Sequence, residues 1–361
     1  MYKALLIASS ILLSACSSQA IICGELLTNA LETTPTNSKK IVITPDVNEA
    51  TGSIEILRPE ALQYIDQNAK VIIHGKGYKW TEGPLWIDDE KGGYLLFSDI
   101  PNNTIVKFTP NIGTQVYLHN SGSTGLYPTD HTQGSNGLLL NKQKKLMLLQ
   151  QGDRRLAVMD APLSQPISKF KTLSSHFNNK RLNSPNDGVL HSNGSIYFTD
   201  PPYGLKGSIN DPYKELPFQG VYRLSPSGKL MLLDNSLKYP NGIALSLDEK
   251  TLYVAVSDEE QPAWIAYDVL NNGSVKNKRV FYDAKQFVGV KGEQGMPDGM
   301  ALHSSGNLFA TGPGGVWLFS PSGEVLAKIR TGKLTANCTL SSDEKFLYIT
   351  AHNTVMSVKL R

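Results

Sequence analysis

The chain has 361 residues, 35 Lys and Arg against 32 Asp and Glu, a formal charge of +3 and 40% hydrophobic residues. This length and apolar content supply one sizeable core, and the near-balanced charge carries no message about an acidic or basic partner. Lys and Arg are dispersed, and the clusters Lys142-Lys144-Lys145 and Lys276-Lys278-Arg279 fall in turn-like stretches. Nucleic-acid binding is excluded on that pattern.

The N-terminus reads as a bacterial lipoprotein signal. Lys3 precedes an apolar run from Ala4 to Leu13, and Leu13-Ser14-Ala15-Cys16 follows. The run is too short to span a bilayer and ends in small residues before a cysteine. Residues 1–15 are therefore expected to be removed, leaving Cys16 lipidated; the alternative is an ordinary secretory signal with an incidental cysteine. Ser17 in the second mature position is the pattern of lipoproteins sent to the outer membrane. The expected location is the bacterial cell envelope, on a lipid anchor facing the periplasm. Residues 16–53 form a tether, Thr-, Asn-, Pro- and Ser-rich from about Thr28 onward, whose composition cannot bury a core. Cys23 lies in it, so Cys23 and Cys338 are expected as two separate thiols, with a bridge between them as the alternative an oxidising compartment permits.

From residue 54 to 361 the chain repeats. An oxygen-bearing residue heads each unit, followed about ten residues later by an apolar run: Glu82 before Tyr94-Leu95-Leu96-Phe97, Asn136 before Leu146-Met147-Leu148-Leu149, Asn186 before Ile196-Tyr197-Phe198. Asn241 before Leu252, Asp298 before Leu308-Phe309-Ala310, and Asn337 before Phe346-Leu347-Tyr348-Ile349 continue the series. Three heads carry a preceding proline, in Pro185-Asn186-Asp187-Gly188, Pro240-Asn241-Gly242 and Pro297-Asp298-Gly299. Short apolar strands, polar turns such as Ser192-Asn193-Gly194 and the lack of any sustained helical period predict an all-β chain. Six units of about 40–50 residues predict a six-bladed β-propeller. A sandwich, or two small β domains, is the alternative.

In a propeller, equivalent positions converge on the axis. The six heads would then meet as two carboxylates and four amides, all hard oxygen donors without thiolate or imidazole. Such a set suits one divalent cation, Ca²⁺ first, with Mg²⁺, Mn²⁺ or Zn²⁺ as alternatives. Any one Asn-Gly or Asp-Gly alone reads more readily as a turn; the shared offset from successive strands is what a turn does not require. A cation polarises a carbonyl or phosphoryl oxygen and acidifies water, and an adjacent carboxylate can take the proton. That describes a hydrolase of esters or lactones.

Several stretches resemble the senescence-marker-protein/gluconolactonase family, its bacterial gluconolactonases in particular. They are Gly77-Tyr78-Lys79-Trp80-Thr81-Glu82-Gly83-Pro84, Lys180-Arg181-Leu182-Asn183-Ser184-Pro185-Asn186-Asp187-Gly188, Tyr197-Phe198-Thr199-Asp200-Pro201-Pro202-Tyr203-Gly204, Pro240-Asn241-Gly242 and Pro297-Asp298-Gly299-Met300. The resemblance runs from about Ile54 to the C-terminus. It implies a six-bladed propeller with one axial metal held by Glu82, Asn241 and Asp298, with Asn186 as a further ligand or substrate contact. It also implies Asp298 as the acid/base of lactone opening. Two departures bear on substrate choice. Gln151-Gly152-Asp153-Arg154-Arg155 stands where many members read His-Gly-Asn-Arg-Arg, and Gly188 stands where relatives often carry Val.

Further substrate contacts are expected from Asn136, Asp187, Arg154, Tyr203 and His352, with Asp200 beside Tyr203 at the mouth. Trp80 and Trp86, flanking Glu82, are expected in the core. No Gly-x-Ser-x-Gly, His-Glu-x-x-His, Gly-x-x-x-x-Gly-Lys or Cys-x-x-Cys occurs, so serine-hydrolase, zincin and nucleotide readings fall away. The expected function is a metal-dependent hydrolase that opens a sugar lactone with metal-activated water. The alternatives are a phosphotriester or aryl-ester hydrolase on the same site, or a non-catalytic, surface-anchored ligand-binding propeller with a structural Ca²⁺.

Overall fold

The computed structural model describes residues 42–127 and 133–361. The expected signal 1–15, Cys16, Cys23 and the tether as far as residue 41 lie outside the described residues. Among the described residues no helix is long and apolar enough to cross a membrane; the helical elements are short 3-10 turns.

Among the described residues six antiparallel sheets of four or five strands follow one another, each a blade, and a two-stranded hairpin of His176–Phe177 and Lys180–Arg181 lies between blades two and three. The first is built from Thr81–Ile87, Tyr94–Asp99, Thr104–Thr109 and Gly113–His119, ordered from the axis outward. Blades two to six begin their innermost strands at Ser135, Gly188, Pro240, Met300 and Thr335. The second strand of each blade is a near-continuous apolar run because both its faces are covered. Tyr94–Asp99, Leu146–Gln150, Ile196–Asp200 and Leu308–Gly312 are buried throughout. The core lies between blades: Leu96 and Ile105 of blade one pack with Leu138, Leu146 and Leu148 of blade two. Each such buried side chain stabilises the ring by about 1.5–3 kcal/mol. Fourth strands left at a sheet edge face solvent and read as polar, as in Val275–Asp283.

The ring is closed by the N-terminal side of the chain. Val71–Lys76 pairs with the last strand, Thr354–Lys359, as the fourth strand of blade six. Glu49–Thr51 adds outside it, and Ser53–Ile56 adds to the outer edge of blade five through Val325–Arg330. The expectation of a tether reaching residue 53 is therefore corrected: the chain joins the propeller by Thr44, which bridges Thr114. These pairings cover sheet edges that would otherwise be open. His74 latches the same seam, its Nδ1 at 3.0 Å from Asp46 and its Nε2 at 2.8 Å from Ser357 Oγ. That Ser–His–Asp order is a structural tie, since Ser357 sits mid-strand with paired strands on both sides.

Candidate functional site at the propeller axis

The residues heading each repeat lie at the entrance of the innermost strands, and a β-bulge at each entrance turns them toward the axis. Pairing shifts register between Glu82 and Leu85, Ser135 and Leu138, Pro240 and Ile243, and Thr335 and Asn337. In blades three and five a single threonine opposes two residues. Thr199 accepts from Asn186 N and donates to Asp187 O, and Thr311 does the same for Asp298 and Gly299. Bulges of this kind re-aim side chains at sites.

The Asn-Gly and Asp-Gly pairs are thus strand entrances and not hairpin turns. The glycines at these entrances admit the neighbouring blade: a Cβ on Gly242, after Asn241, would stand 2.1 Å from Asp298 O, and one on Gly83, after Glu82, would stand 2.0 Å from Asn136 O. Hydroxyls at the ends of the second strands then fasten blade to blade. Ser98 Oγ donates to Asn136 O at 2.8 Å, Thr199 Oγ1 to Asn241 O at 2.6 Å, and Thr311 Oγ1 to Ala336 O at 2.7 Å.

A cavity of about 570 Å³ opens at this end of the axis, and Glu82, Asn136, Asn186, Asn241 and Asp298 all line it. Glu82, Asn136, Asn186 and Asn241 are buried. Among the described residues Asn136 Oδ1, Asn241 Oδ1 and Asp298 Oδ1 are inaccessible side-chain oxygens with no hydrogen-bond partner. Such atoms are costly unless something satisfies them. Glu82 Oε2 accepts from the adjacent Gly83 N at 3.1 Å.

The electrostatics point the same way. Burial, then the charge of Asp187, pushes Glu82 up to about 8. Burial pushes Asp187 up to about 6. Burial and then the charges of Glu82 and Asp187 hold Asp298 well above the usual carboxylate range. Three carboxylates this close cannot all ionise unless a cation joins them. Among the described residues no three His, Cys, Asp or Glu side chains form a metal-holding group by themselves. The set is mixed, with asparagine oxygens completing it, and these donors fit a hard divalent ion.

Other expected contacts fare differently. Tyr203 lines the cavity, as does Gln151, whose buried Nε2 has no hydrogen-bond partner among the described residues. Asp187 does not line it. It faces a second cavity of about 330 Å³ further down the axis, with Asn337 and Cys338, and the Asn337 side chain bonds to both Glu82 and Asp187. Arg154 is corrected to a structural clamp: its buried guanidinium donates from Nε to Leu182 O and Asn183 O and from Nη1 to Tyr127 Oη and Tyr213 O. His352 is also corrected. It sits in the turn after Phe346–Ala351 with φ 50° and sets its ring edge on Trp80 at 5.5 Å, outside the cavity lining.

Asp200 is fully buried and accepts from Asn183 N and Ser184 N, both at 2.8 Å, so it holds a loop instead of lining the mouth. Trp80, expected in the core, lines the cavity; Trp86 stacks on Tyr348 at 4.9 Å. Ser257 and Glu259 also line the cavity and were missed. The Ser-Asp and Thr-Asp pairs ending second strands, Ser98-Asp99, Thr199-Asp200 and Ser257-Asp258, are the signal that marks their neighbourhood.

Fold and site define a six-bladed propeller with a carboxylate–amide centre on its axis. Residues 80–353 match the family described as the SMP-30/Gluconolactonase/LRE-like region. A gluconolactonase from Zymomonas mobilis is 34% identical over 315 residues, covering 86% of each chain. The solved structure of a gluconolactonase from Xanthomonas campestris superposes with a TM-score of 0.73 at 27% identity, covering 89% of this chain and 99% of that one. A regucalcin from Xenopus laevis is 24% identical over 283 residues, 76% of this chain and 83% of its own. The chain belongs to the SMP-30/gluconolactonase family.

Proposed function

We propose that the protein is a metal-dependent lactonase that opens a sugar lactone in the axial cavity. The observation that carries this is the convergence of three unsatisfied buried oxygens, from Asn136, Asn241 and Asp298, with the Glu82 carboxylate in one open cavity. The relatives named as gluconolactonases support the substrate class.

Glu82, Asn136, Asn241 and Asp298 would hold the cation, with Asn186 beside them; an oxygen-only set favours Ca²⁺. When bound, the ion supplies Lewis-acid polarisation of a carbonyl oxygen and acidifies water. Asp298 takes the proton from water attacking the lactone carbonyl and returns it to the ring oxygen as the C–O bond breaks, giving the open hydroxy acid. Trp80, on the cavity wall, flanks the ring and keeps bulk water from the reacting carbon.

The second reading, a binding propeller with a structural ion, requires ligands enclosed by protein, whereas these line an open cavity. A panel of sugar lactones, aryl esters and phosphotriesters, assayed with and without chelator, tests the proposal. Chelator-sensitive lactone opening supports it; full activity in protein shown to be metal-free overturns it. The lipoprotein-type signal ending at Cys16 supports a further part of the proposal, that the enzyme works from a lipid anchor in the bacterial envelope.

A further inference from the structure

The axial cavity continues into a second lobe. That lobe, about 750 Å³, shares Tyr203, Ser257 and Glu259 with the first and extends over blades three and four. The first lobe alone, at about 570 Å³, is already in the range that encloses a drug-sized ligand, larger than one sugar ring.

The second lobe owes its wall to one insertion. Between second and third strands, blades one, two, four, five and six carry 100–103, 151–154, 257–262, 313–314 and 352–353, whereas blade three carries 201–219. This loop is held rather than loose. Ser184 Oγ donates to Pro201 O at 2.6 Å and accepts from Gly204 N at 2.8 Å. Asp211 accepts from Gly207 N and Tyr213 N at 2.8 and 2.9 Å, and Arg154 holds Tyr213 O at 2.9 Å. Its ordering cost is met before any ligand arrives.

Where the lobes join, Tyr203 lies nearly parallel to Tyr239, ring centres 5.6 Å apart and planes 20° apart. Tyr203 remains 37% exposed. Tyr239 takes a left-handed backbone, φ 52°, and its N–H is held by Gln219 Oε1 at 2.8 Å. A tyrosine in that region is strained and persists only where its surroundings enforce it. The Gln219 hydrogen bond and the stack on Tyr203 hold the ring two residues from Asn241, so platform and centre have a set spacing.

The charges of the lobe are already engaged. Lys238 pairs with Glu260 at 2.7 Å and lies 3.9 Å from Asp258, and Lys214 donates to Leu216 O and Phe218 O. Among the described residues lining this lobe both lysines already have partners, while the exposed Glu259 carboxylate, common to both lobes, can accept from hydroxyls. The outer face of this stacked pair, with a hydroxyl acceptor beside it, suits a neutral polyol ring.

Building on the lactonase reading, we infer that the substrate is a two-ring lactone, a disaccharide-derived aldonolactone whose neutral second sugar ring lies on the Tyr203–Tyr239 platform. The chemistry at the first ring is unchanged: water adds to the lactone carbonyl, the ring C–O bond breaks, and the released alcohol takes the proton. The bond between the two sugars stays intact.

The test compares gluconolactone with cellobionolactone on the full protein, and sorbitol with cellobiitol as unreactive ligands by calorimetry. The expected result is a kcat/KM at least about tenfold higher for the two-ring lactone and a correspondingly tighter Kd for cellobiitol. Tyr239→Asn, which tolerates the left-handed backbone, should erase the two-ring advantage while leaving single-ring turnover within about twofold. Equal kcat/KM for the two lactones, with equal Kd for the two alditols, overturns the inference. If neither lactone is opened, the lactonase reading fails, and the alditol Kd ratio still decides the subsite.

Discussion

Asn136 donates its side-chain amide to Asn186 Oδ1 at 3.0 Å, so the two residues from adjacent blades fix each other's orientation at the axis. The donation engages one lone pair of the Asn186 oxygen, while Asn136 Oδ1, like Asn241 Oδ1 and Asp298 Oδ1, has no hydrogen-bond partner among the described residues. On the proposed reading Asn136 would offer its oxygen to the cation and Asn186 would orient it. Asn136→Ala and Asn241→Ala should each weaken cation affinity by about 10–100-fold, and Asn186→Ala by an amount near the lower end. Calorimetric titration of chelator-stripped protein measures all three; an Asn136→Ala that binds as wild type removes Asn136 from the centre.

Asp298→Asn keeps a coordinating oxygen and loses the base. Its kcat should fall by about 10²–10⁴-fold while the thermal midpoint and some cation binding survive. Turnover within a few-fold of wild type, in a variant shown to hold the cation, would assign proton transfer to another group.

Stability should depend on pH through the axial carboxylates. Glu82 is raised from 4.5 to about 8 and Asp187 from 3.8 to about 6, both first by burial, and Asp298 is raised as well. The native state holds protons the unfolded chain has released, so these groups reduce cation-free stability progressively as pH rises from about 4 to 8. A cation reverses the penalty, and its binding displaces the protons. The gain in thermal midpoint from adding Ca²⁺ to chelator-treated protein should therefore be larger at pH 8 than at pH 5. A gain that shrinks over that range contradicts the arrangement.

The Asp99 and Asp200 carboxylates act as matched struts. Asp99 accepts from Lys79 N and Trp80 N at 3.1 and 3.2 Å, three and two residues before Glu82, and Asp200 accepts from Asn183 N and Ser184 N, three and two before Asn186. Asp200→Ala leaves two buried N–H groups without acceptors and should cost about 1–3 kcal/mol in chemical denaturation, with weaker cation binding as a secondary effect. An unchanged denaturation midpoint would show the loop to be held elsewhere.

Wild-type protein should fractionate with membranes, and Cys16→Ser should release it or block its processing. One acyl chain gives only marginal binding, so firm anchoring needs the several chains of a lipidated N-terminal cysteine. Recovery of the wild type in the soluble fraction counts against the anchor.

Strand period and turn chemistry are local, so the six repeats, and the oxygen donor heading each of them, were legible from spacing alone. Glu82, Asn136, Asn186, Asn241 and Asp298 reached the axis because a fixed offset from a buried strand becomes a fixed place in a ring. What the tertiary structure decided is everything that depends on which neighbour lies opposite. Arg154 and His352 carry the chemistry of substrate contacts but are consumed by loop carbonyls and by the Trp80 ring. Asp187, one residue from Asn186, faces the other way along the axis, because the bulge opposite Thr199 sends adjacent side chains to opposite ends. The closing of the ring by Val71–Lys76 against Thr354–Lys359 joins segments that no local pattern relates. Only the folded chain, by satisfying both sheet edges at once, selects that pairing.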